Sequence, residues 1–395
     1  STLSFSCGSS YGTGHEENFK LHQVNDFQYL HFESLLGAVS EKKLEFRIFH
    51  NGTARDQFYG FGGEANYNQY TASAQTQYYI ELNEWNKLTS GIEVKTQKAN
   101  VHELIGNINE QITESSAYLQ DEMSLGKFKF ILGLRYDVNE EFGEEISPRL
   151  GITFRAAENT TLRLTAGKAF RPPTISDLYM PPTTYNSMIF EGNPDLSPET
   201  LWSTELGIRH KMKIAGRQVS FDASVYKSRG TNFGDFMPVS FTPLTLRPLN
   251  VNTVGISGGE IEITTILTSN LKTSIGYAYT DARYIRYKPD PSIEHNYVED
   301  IPMHSGSAAL TYYSNKGYSA SVSLRAVGDR YTDADNVKSN KLAPFVVVNV
   351  AGSAKVYKAV SAYARIDNVM DKEYKEVSTQ VQPGRFFTFG LSLEF

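Results

Sequence analysis

The sequence lacks long apolar runs. No stretch of its 395 residues approaches the roughly 18 apolar residues that a membrane-spanning helix requires. The mean hydropathy of −0.37 is that of a slightly polar soluble protein. These features exclude a helical membrane protein, but they are compatible with a transmembrane β-barrel, whose strands alternate lipid-facing with lumen-facing residues.

The sequence also has little cysteine and no excess of positive charge. The single Cys7 rules out a disulfide within the chain. The 38 Lys and Arg residues are outnumbered by 44 Asp and Glu, giving a net charge of −6, so we expect no nucleic-acid partner. No signal-peptide pattern is present at the start, where residues 1–5 already read as a strand. This start therefore indicates a processed or truncated end.

Aromatic residues, in contrast, are abundant. The chain has 24 Tyr, 23 Phe and 2 Trp residues, together 12% of its composition. The tyrosines cluster at the ends of predicted strands, as in the interfacial girdle of an outer-membrane barrel. A soluble all-β protein with a Tyr-rich surface would have the same composition, so composition alone leaves both classes open.

Alternating segments and their connections favour the barrel. Apolar and polar residues alternate at period two in 219–226, 271–280 and 360–367, as in strands with one apolar face. We count roughly 18 strands of about 10–14 residues, near the length needed to cross a bilayer. Short turns are predicted near 83–84, 125–126, 157–158, 215–216, 269–270, 315–316 and 358. Long connections are predicted at 52–69, 171–199, 230–251, 284–301, 332–343 and 368–384.

This strict alternation of connection length predicts sidedness. Outer-membrane barrels have short periplasmic turns and long extracellular loops, whereas a sandwich has no reason to place every long loop at one end. The sequence therefore predicts an all-β, antiparallel transmembrane β-barrel in the outer membrane of a Gram-negative bacterium, with outer-membrane lipid around it.

The last strand is the clearest single signal. Phe387, Phe389, Leu391, Leu393 and Phe395 would share an apolar face, while the intervening residues would face a wet lumen. A charge on the lipid face near the midplane costs about 2–4 kcal/mol, which explains this segregation. A terminal aromatic after such a strand resembles the signal recognised by the barrel-assembly machinery, and it implies that machinery as a partner.

Short motifs follow one another between Ser147 and Phe395. They are Ser147-Pro148-Arg149-Leu150-Gly151, Phe170-Arg171-Pro172-Pro173-Thr174, Asp177-Leu178-Tyr179, Gly192-Asn193-Pro194-Asp195-Leu196-Ser197-Pro198-Glu199, Asn368-Val369-Met370-Asp371 and Pro383-Gly384-Arg385. In this order and spacing they resemble the C-terminal barrel region of TonB-dependent receptors. We expect these residues to set loop geometry, with Arg149 and Glu199 in hydrogen-bond networks at strand ends, and none of them to be catalytic.

The resemblance implies a larger architecture than this sequence contains. Receptors of that family have about 22 strands and a lumen plugged by a separate folded domain. Here we find no plug-like segment and no short N-terminal coupling motif. Residues 1–395 are therefore expected to be a barrel that is complete at its C-terminal end but truncated at its N-terminal end, without four or so strands and the plug. A complete smaller barrel is the alternative.

The resemblance also implies a function. The intact protein would bind a scarce solute at its outer face, and the inner-membrane TonB complex would release that solute inward by pulling on the plug. Loops rich in Tyr, Phe and Arg suit a planar or catecholate-bearing ligand, because rings stack and Arg pairs with anions. A ferric siderophore is the first choice and cobalamin the second. The candidate ligand-binding residues are Tyr179, Tyr185, Phe190, Arg283, Tyr284, Arg286, Tyr287, Tyr297, Arg330 and Tyr331.

Other ligands have weaker support. Haem ranks third, because the stretch 172–198 contains no His and only His295 and His304 lie in a neighbouring connection. A calcium site at Asp329, Asp333, Asp335 and Asn336 is not expected, since no EF-hand spacing accompanies them. We expect no metal site and no bound cofactor.

Functions of two other classes have requirements of their own. A passive porin would need no plug. An outer-membrane enzyme would need Ser, His and acidic residues at one rim, and the eight scattered histidines do not predict such a cluster. The sequence therefore indicates a receptor rather than an enzyme.

Overall fold

The computed structural model describes residues 2–16, 19–35, 42–59, 63–103, 106–185, 187–357, 359–378 and 380–393. Within them the chain is almost entirely β-structure. One helix, α1 (Ile175–Tyr179), and two single-turn 3-10 helices, Pro291–Ile293 and Lys338–Asn340, are the exceptions in these ranges. No described helix is long and apolar enough to cross a membrane.

Eighteen of the described strands have at least eight residues. They are β1 (Thr2–Glu16), β2 (Phe19–Leu35), β3 (Lys42–Tyr59), β4 (Gly63–Asn83), β5 (Asn86–Glu103), β6 (Gly106–Leu125), β7 (Phe128–Asn139), β8 (Gly143–Ala157), β9 (Thr160–Arg171), β12 (Glu199–Ile214), β13 (Arg217–Phe241), β14 (Leu244–Thr268), β15 (Leu271–Tyr287), β16 (His304–Tyr313), β17 (Tyr318–Val327), β18 (Phe345–Tyr357), β19 (Val360–Asp367) and β22 (Phe386–Leu393). Four strands of two or three residues lie in the connections: β10 (Thr183–Tyr185), β11 (Met188–Phe190), β20 (Lys375–Val377) and β21 (Gln380–Val381).

The chain divides into two compact units. Unit 1 contains residues 1–152, 166–202 and 230–252, and unit 2 contains residues 153–165, 203–229 and 253–395. In unit 1, strands β1 to β7 form a continuous antiparallel ladder in which each strand pairs with the next. In unit 2, strands β15 to β19 pair in the same way, and β22 then pairs with β19. The predicted all-β, antiparallel fold is confirmed.

The ladders expose apolar side chains and bury charged ones. On β7, Leu132 and Leu134 are 44% and 52% exposed, whereas Asp137 is 1% exposed. The guanidinium of Arg135 binds both Asp137, at 2.9 Å from Nε to Oδ1, and the Ser116 hydroxyl, at 2.8 Å. A soluble protein places its faces the other way round. An apolar solvent such as lipid accounts for the exposed face, and a polar interior accounts for the buried one.

The last strand repeats this segregation. Phe389 and Leu391 are 75% and 74% exposed, while the alternating Thr388 and Gly390 are half-buried. This is the predicted alternation for β22. The terminal Phe395 lies outside the residues that the structure describes.

The predicted short turns are confirmed with shifts of at most one residue. Turns occupy residues 84–85, 126–127, 158–159, 215–216, 269–270 and 315–316, and Lys358 falls outside the described residues. Gly126 and Gly216 adopt positive φ angles of 59° and 77°, a conformation that lacks a Cβ penalty only in glycine.

Two of the predicted long connections are wrong. Residues 52–59 and 63–69 belong to β3 and β4, which stay paired from Gly52↔Tyr70 to Tyr59↔Gly63. Residues 230–241 and 244–251 likewise extend β13 and β14. The long strands continue because antiparallel pairing satisfies the backbone polar groups wherever the hairpin extends. These four strands have 18, 21, 25 and 25 residues and so exceed the predicted 10–14.

Candidate functional site

The connection between β9 and β12 is folded rather than irregular. Its helix α1 begins with a capping box, in which the Thr174 hydroxyl accepts from the Asp177 amide and the Asp177 carboxylate accepts from the Thr174 amide. These two bonds satisfy amide groups that have no partner within the helix. A short hairpin of β10 and β11 follows, and β11 pairs in parallel with β14 at Ile189↔Thr245 and Phe190↔Leu246.

Two apolar clusters fix this connection against the ladder of unit 1. Leu178, 2% exposed, packs with Ile112 on β6 and with Leu196. Ile175 and Tyr179 also contact a second cluster of Ala99, Val101 and Ile108 on β5 and β6. Burial of a leucine side chain contributes about 1.5–3 kcal/mol, so the clusters hold the helix at a defined position.

Tyr179 is the candidate ligand-binding residue on this helix. It is half-buried, and its hydroxyl donates a hydrogen bond to the Glu141 carboxylate. Burial, together with the neighbouring negative charge of Glu141, raises the pKa of Tyr179 to about 12. The phenol therefore stays protonated at neutral pH and acts as a hydrogen-bond donor.

The other candidates of this connection lie on the short hairpin. Phe190 is half-buried, and its ring makes an edge contact with Phe236 on β13, with the centroids 5.8 Å apart. The next residue, Glu191, accepts from Arg247 Nε at 2.9 Å. The backbone of Tyr185 pairs with Met188, but its side chain lies outside the described part of the structure.

A polar cavity of about 550 Å³ opens between the first turn of this connection and the ladder of unit 1. Its lining includes the amides of Gln69 and Gln97, the hydroxyl of Thr71 and the side chain of Lys95. Lys95 is paired with Glu114 at 2.9 Å. The lining thus combines amide, hydroxyl and cationic side chains, which suits a polar ligand.

Unit 2 contains a stack of four side chains that joins two connections. The guanidinium carbon of Arg283 lies 4.0 Å from the centroid of the Tyr297 ring. The Tyr297 ring stacks on Tyr331, with the centroids 5.9 Å apart and the planes 11° apart. The Lys341 ammonium lies 4.3 Å from the centroid of the Tyr331 ring. Cation–π contacts of this kind contribute about 0.5–1 kcal/mol each at exposed sites.

Hydrogen bonds fasten the same two connections. Asn336, which has a positive φ of 57°, accepts from the Tyr297 amide at 2.7 Å and donates to the Tyr297 carbonyl at 2.8 Å. The Asn336 side chain thus forms the same pair of hydrogen bonds with the Tyr297 backbone that a neighbouring strand would form. The Asp300 amide also donates to the Tyr331 carbonyl at 2.8 Å.

Both cations of the stack have acidic partners. Arg283 Nε donates to Asp281 at 2.7 Å, and the Lys341 ammonium lies 2.7 Å from Asp329. The hydrogen bond with Asp329 raises the pKa of Lys341, so this ammonium remains charged. An anionic ligand would therefore compete with the two carboxylates for the cations rather than meet free charge.

The remaining candidates of unit 2 differ in accessibility. Tyr284 and Tyr287 are buried and meet edge to face, and the Tyr284 hydroxyl donates to Glu299 at 2.6 Å. Arg330 is 3% exposed and donates to three backbone carbonyls, those of Gly328, Lys375 and Glu376. Arg286 is exposed. The structure thus brings Arg283, Tyr297 and Tyr331 together at an accessible surface, and it places Tyr284, Tyr287 and Arg330 beneath that surface.

The acidic residues of the second connection bond within it. Asp333 accepts from the Val337 amide at 3.0 Å and from the Asn340 side chain at 3.2 Å. Asp329 is engaged with Lys341. These carboxylates therefore stabilise the loop itself.

The sequence of residues 4–369 matches the family model described as TonB dependent receptor-like, beta-barrel. The chain belongs to this TonB-dependent receptor family. The predicted resemblance and the β-barrel fold class are thereby confirmed.

Named relatives and solved structures agree with this assignment. The vitamin B12 transporter BtuB of Photobacterium profundum is 26% identical over 302 residues, which cover 73% of this chain and 45% of that protein. The ferrioxamine B receptor of Salmonella typhimurium is 23% identical over 284 residues, which cover 67% of this chain and 37% of that protein. The solved structure of the copper transporter OprC has the same fold, with a TM-score of 0.79 at 18% identity over 100% of this chain and 69% of that one. The chain spans about half the length of the curated relatives it matches.

The motifs that carried the resemblance to TonB-dependent receptors have structural roles in this chain. Asn193 is buried, donates to the Pro248 carbonyl at 2.9 Å and accepts from the Asp195 amide. A Cβ on Gly192 would lie 2.6 Å from the Leu178 carbonyl oxygen, so only glycine fits beside the helix. Arg171 and Glu199 form a bidentate ion pair at 2.9 and 2.6 Å across the base of the connection.

Two residues that contact the candidate ligand-binding side chains could not be predicted from the sequence. Lys341 and Glu141 reach Tyr331 and Tyr179 from other segments, and their own sequence neighbourhoods carry no signal of it. The sequence placed Asn336 only among possible calcium ligands, although Asn is enriched at positive φ in loops. Its partner could not have been predicted from the sequence.

Proposed function

We propose that this chain is the barrel part of a TonB-dependent receptor in the outer membrane of a Gram-negative bacterium, where it takes up a scarce solute with energy from the TonB complex. The family match supports the class of protein. The exposed apolar faces of β7 and β22 support its placement in lipid. Coupling to the TonB complex would run through a plug domain, and membrane insertion through the barrel-assembly machinery.

The stack of Arg283, Tyr297, Tyr331 and Lys341 carries the proposal of a binding site. It lies where two connections meet, at the strand ends opposite the short turns of unit 2, which is the extracellular side in barrels of this kind. A ligand with aromatic edges and anionic oxygens would contact the phenol rings and exchange with Asp281 and Asp329 for the two cations. These features favour a ferric siderophore.

Cobalamin is the second candidate, because relatives in the family include proteins named vitamin B12 transporters. Haem ranks below both. The stretch 172–198 has no His, and the His304 ring bonds with Tyr277 on the exposed apolar face.

Binding of a ferric catecholate siderophore, a ferric hydroxamate siderophore and cyanocobalamin to the full-length protein tests the ligand class. We expect one ferric siderophore to bind at least tenfold more tightly than cyanocobalamin. The reverse order would assign the protein to cobalamin. Steady ion conductance without any ligand or TonB complex would instead assign it to the passive porins.

A further inference from the structure

The outer face of unit 2 contains an apolar groove. The groove has a volume of about 620 Å³ and crosses strands β16, β17 and β18. Its floor consists of Gly306, Ala326 and Gly328, because Gly306 pairs directly with Ala326 in the ladder. Tyr277 on β15 and Val346 on β18 form its two walls.

The groove is a local depression in an otherwise bulky apolar face. Farther along the same face, Leu310, Val322 and Leu324 are 43%, 47% and 37% exposed. These large side chains project outward from the sheet, whereas the small groove residues Gly306, Ala326 and Gly328 do not. An empty depression of this size would leave its lining atoms without contact partners on one side and forfeit their dispersion energy. A flexible hydrocarbon chain fills such a shape.

The groove opens at the strand ends that lie opposite the short turn at 315–316. At this end the Tyr277 hydroxyl and His304 Nδ1 are 2.7 Å apart, and the two rings are stacked with centroids 6.1 Å apart. Rings that combine an apolar body with a polar edge are favoured at the level of lipid headgroups. The mouth of the groove therefore lies at the membrane–water interface.

A cation stands at this mouth. Lys372 lines the groove and is exposed, and its ammonium has no ion-pair partner among the residues that the structure describes. The adjacent Asp371 carboxylate is already engaged, accepting from the Arg385 amide at 2.7 Å. The positive charge of Lys372 is complementary to a lipid phosphate. The cation lies at the mouth and the apolar lining lies deeper, as the phosphate and the acyl chain do in a lipid.

We propose that this groove binds one acyl chain of a phosphorylated lipid of the outer leaflet, with the lipid phosphate on Lys372. The site depends on the outer-membrane placement proposed above but is independent of the transported solute. It would hold a lipid in fixed register beside the β19–β22 connection, which carries Lys372.

The test is lipid retention by the full-length protein in detergent, measured by native mass spectrometry with bisphosphorylated lipid A as the probe. We expect one lipid to be retained by the wild type. Ala326→Leu fills the floor and should reduce retention by about tenfold or more, because the chain loses its contacts. Ala320→Leu, on the same face of β17 outside the groove, is the matched control and should retain the lipid.

The phosphate contact is tested separately. Lys372→Gln should weaken retention by about two- to fivefold, the effect of one partly exposed ion pair, and Lys316→Gln in the short turn should not. Dephosphorylated lipid A should bind the wild type as weakly as the phosphorylated form binds Lys372→Gln. Equal retention by Ala326→Leu and Ala320→Leu overturns the groove as the site, and a dimer that Ala326→Leu abolishes assigns the groove to a second copy. Solute binding, measured in parallel, should be unchanged in Ala326→Leu, so the two proposals fail independently.

Discussion

The phenol rings of Tyr297 and Tyr331 lie nearly parallel, 5.9 Å apart, although they belong to different connections of unit 2. Arg283 lies over the Tyr297 ring, and Lys341 lies over the Tyr331 ring. The two rings and the two cations are therefore already in contact with one another in this protein. In the proposed site a ligand would exchange with the acidic partners of the two cations, and the rings would hold those cations in place.

Replacing Tyr331 tests this arrangement. Tyr331→Ala removes one aromatic pair and one cation–π contact, and we expect ligand affinity to fall by about tenfold. Tyr331→Phe retains the ring and should bind within about twofold of the wild type. Titration of the identified ligand into the full-length protein measures both. Equal losses in the two variants would show that the hydroxyl, not the stack, is what matters.

Tyr179 should titrate at unusually high pH. Its pKa of about 12 lies above the ordinary value near 10, so the folded state holds the proton more tightly. The stabilisation is therefore complete below about pH 10 and is lost as the pH rises toward 12. The tyrosinate absorbance difference between the wild type and Tyr179→Phe should rise near pH 12. Glu141→Gln removes the neighbouring negative charge and should shift that rise to lower pH; an unshifted curve would contradict the contact.

Leu178 should control the docking of the β9–β12 connection. Leu178→Ala leaves a cavity among Ile112 and Leu196, at a cost of roughly 2–5 kcal/mol. We expect faster amide hydrogen exchange in residues 175–179, with little change in the ladder β1–β7. Leu206→Ala, which truncates a side chain that is 55% exposed, is the control. Unchanged exchange in Leu178→Ala would mean that the hydrogen bonds alone hold the helix.

Exposure of the ladder to lipid can be tested by comparing the cost of a charge at two depths in the bilayer. Leu134→Arg places a charge in the middle of β7 and should cost about 2–4 kcal/mol of folding free energy in bilayers. Leu82→Arg lies beside the turn at 84–85, near the expected interface, and should cost about 0–1 kcal/mol. Folding into vesicles at increasing denaturant concentration gives both values. Similar costs at the two positions would contradict a bilayer around this face.

The sequence was sufficient for features set by local chemistry. The turn at Ala215 and Gly216 and the alternation around Phe389 depend on neighbouring residues, and both were predicted correctly. The strands β13 and β14 were predicted too short, because an exposed paired hairpin and an irregular loop have similar polar compositions. Their pairing is visible only once both strands are placed.

The candidate site depended on contacts between distant segments. Leu178 indicates an apolar helix face, but no neighbouring residue in the sequence predicts that it packs against Ile112. Likewise Tyr331 and Arg330 are adjacent in sequence, yet one joins an accessible stack and the other is buried among backbone carbonyls. From the sequence both residues are candidate ligand-binding residues, and their different environments become visible only in the folded structure.

The paired hydrogen bonds between Asn336 and the backbone of Tyr297 have a kinetic consequence. Because they fasten the two connections of unit 2 to each other, neither connection can swing away alone without breaking both bonds and the ring stack. Opening is then a single concerted event. We expect Asn336→Ala to weaken this joint closure, so a solute held by the proposed site should have a shorter residence time, measured as its dissociation rate from the full-length protein.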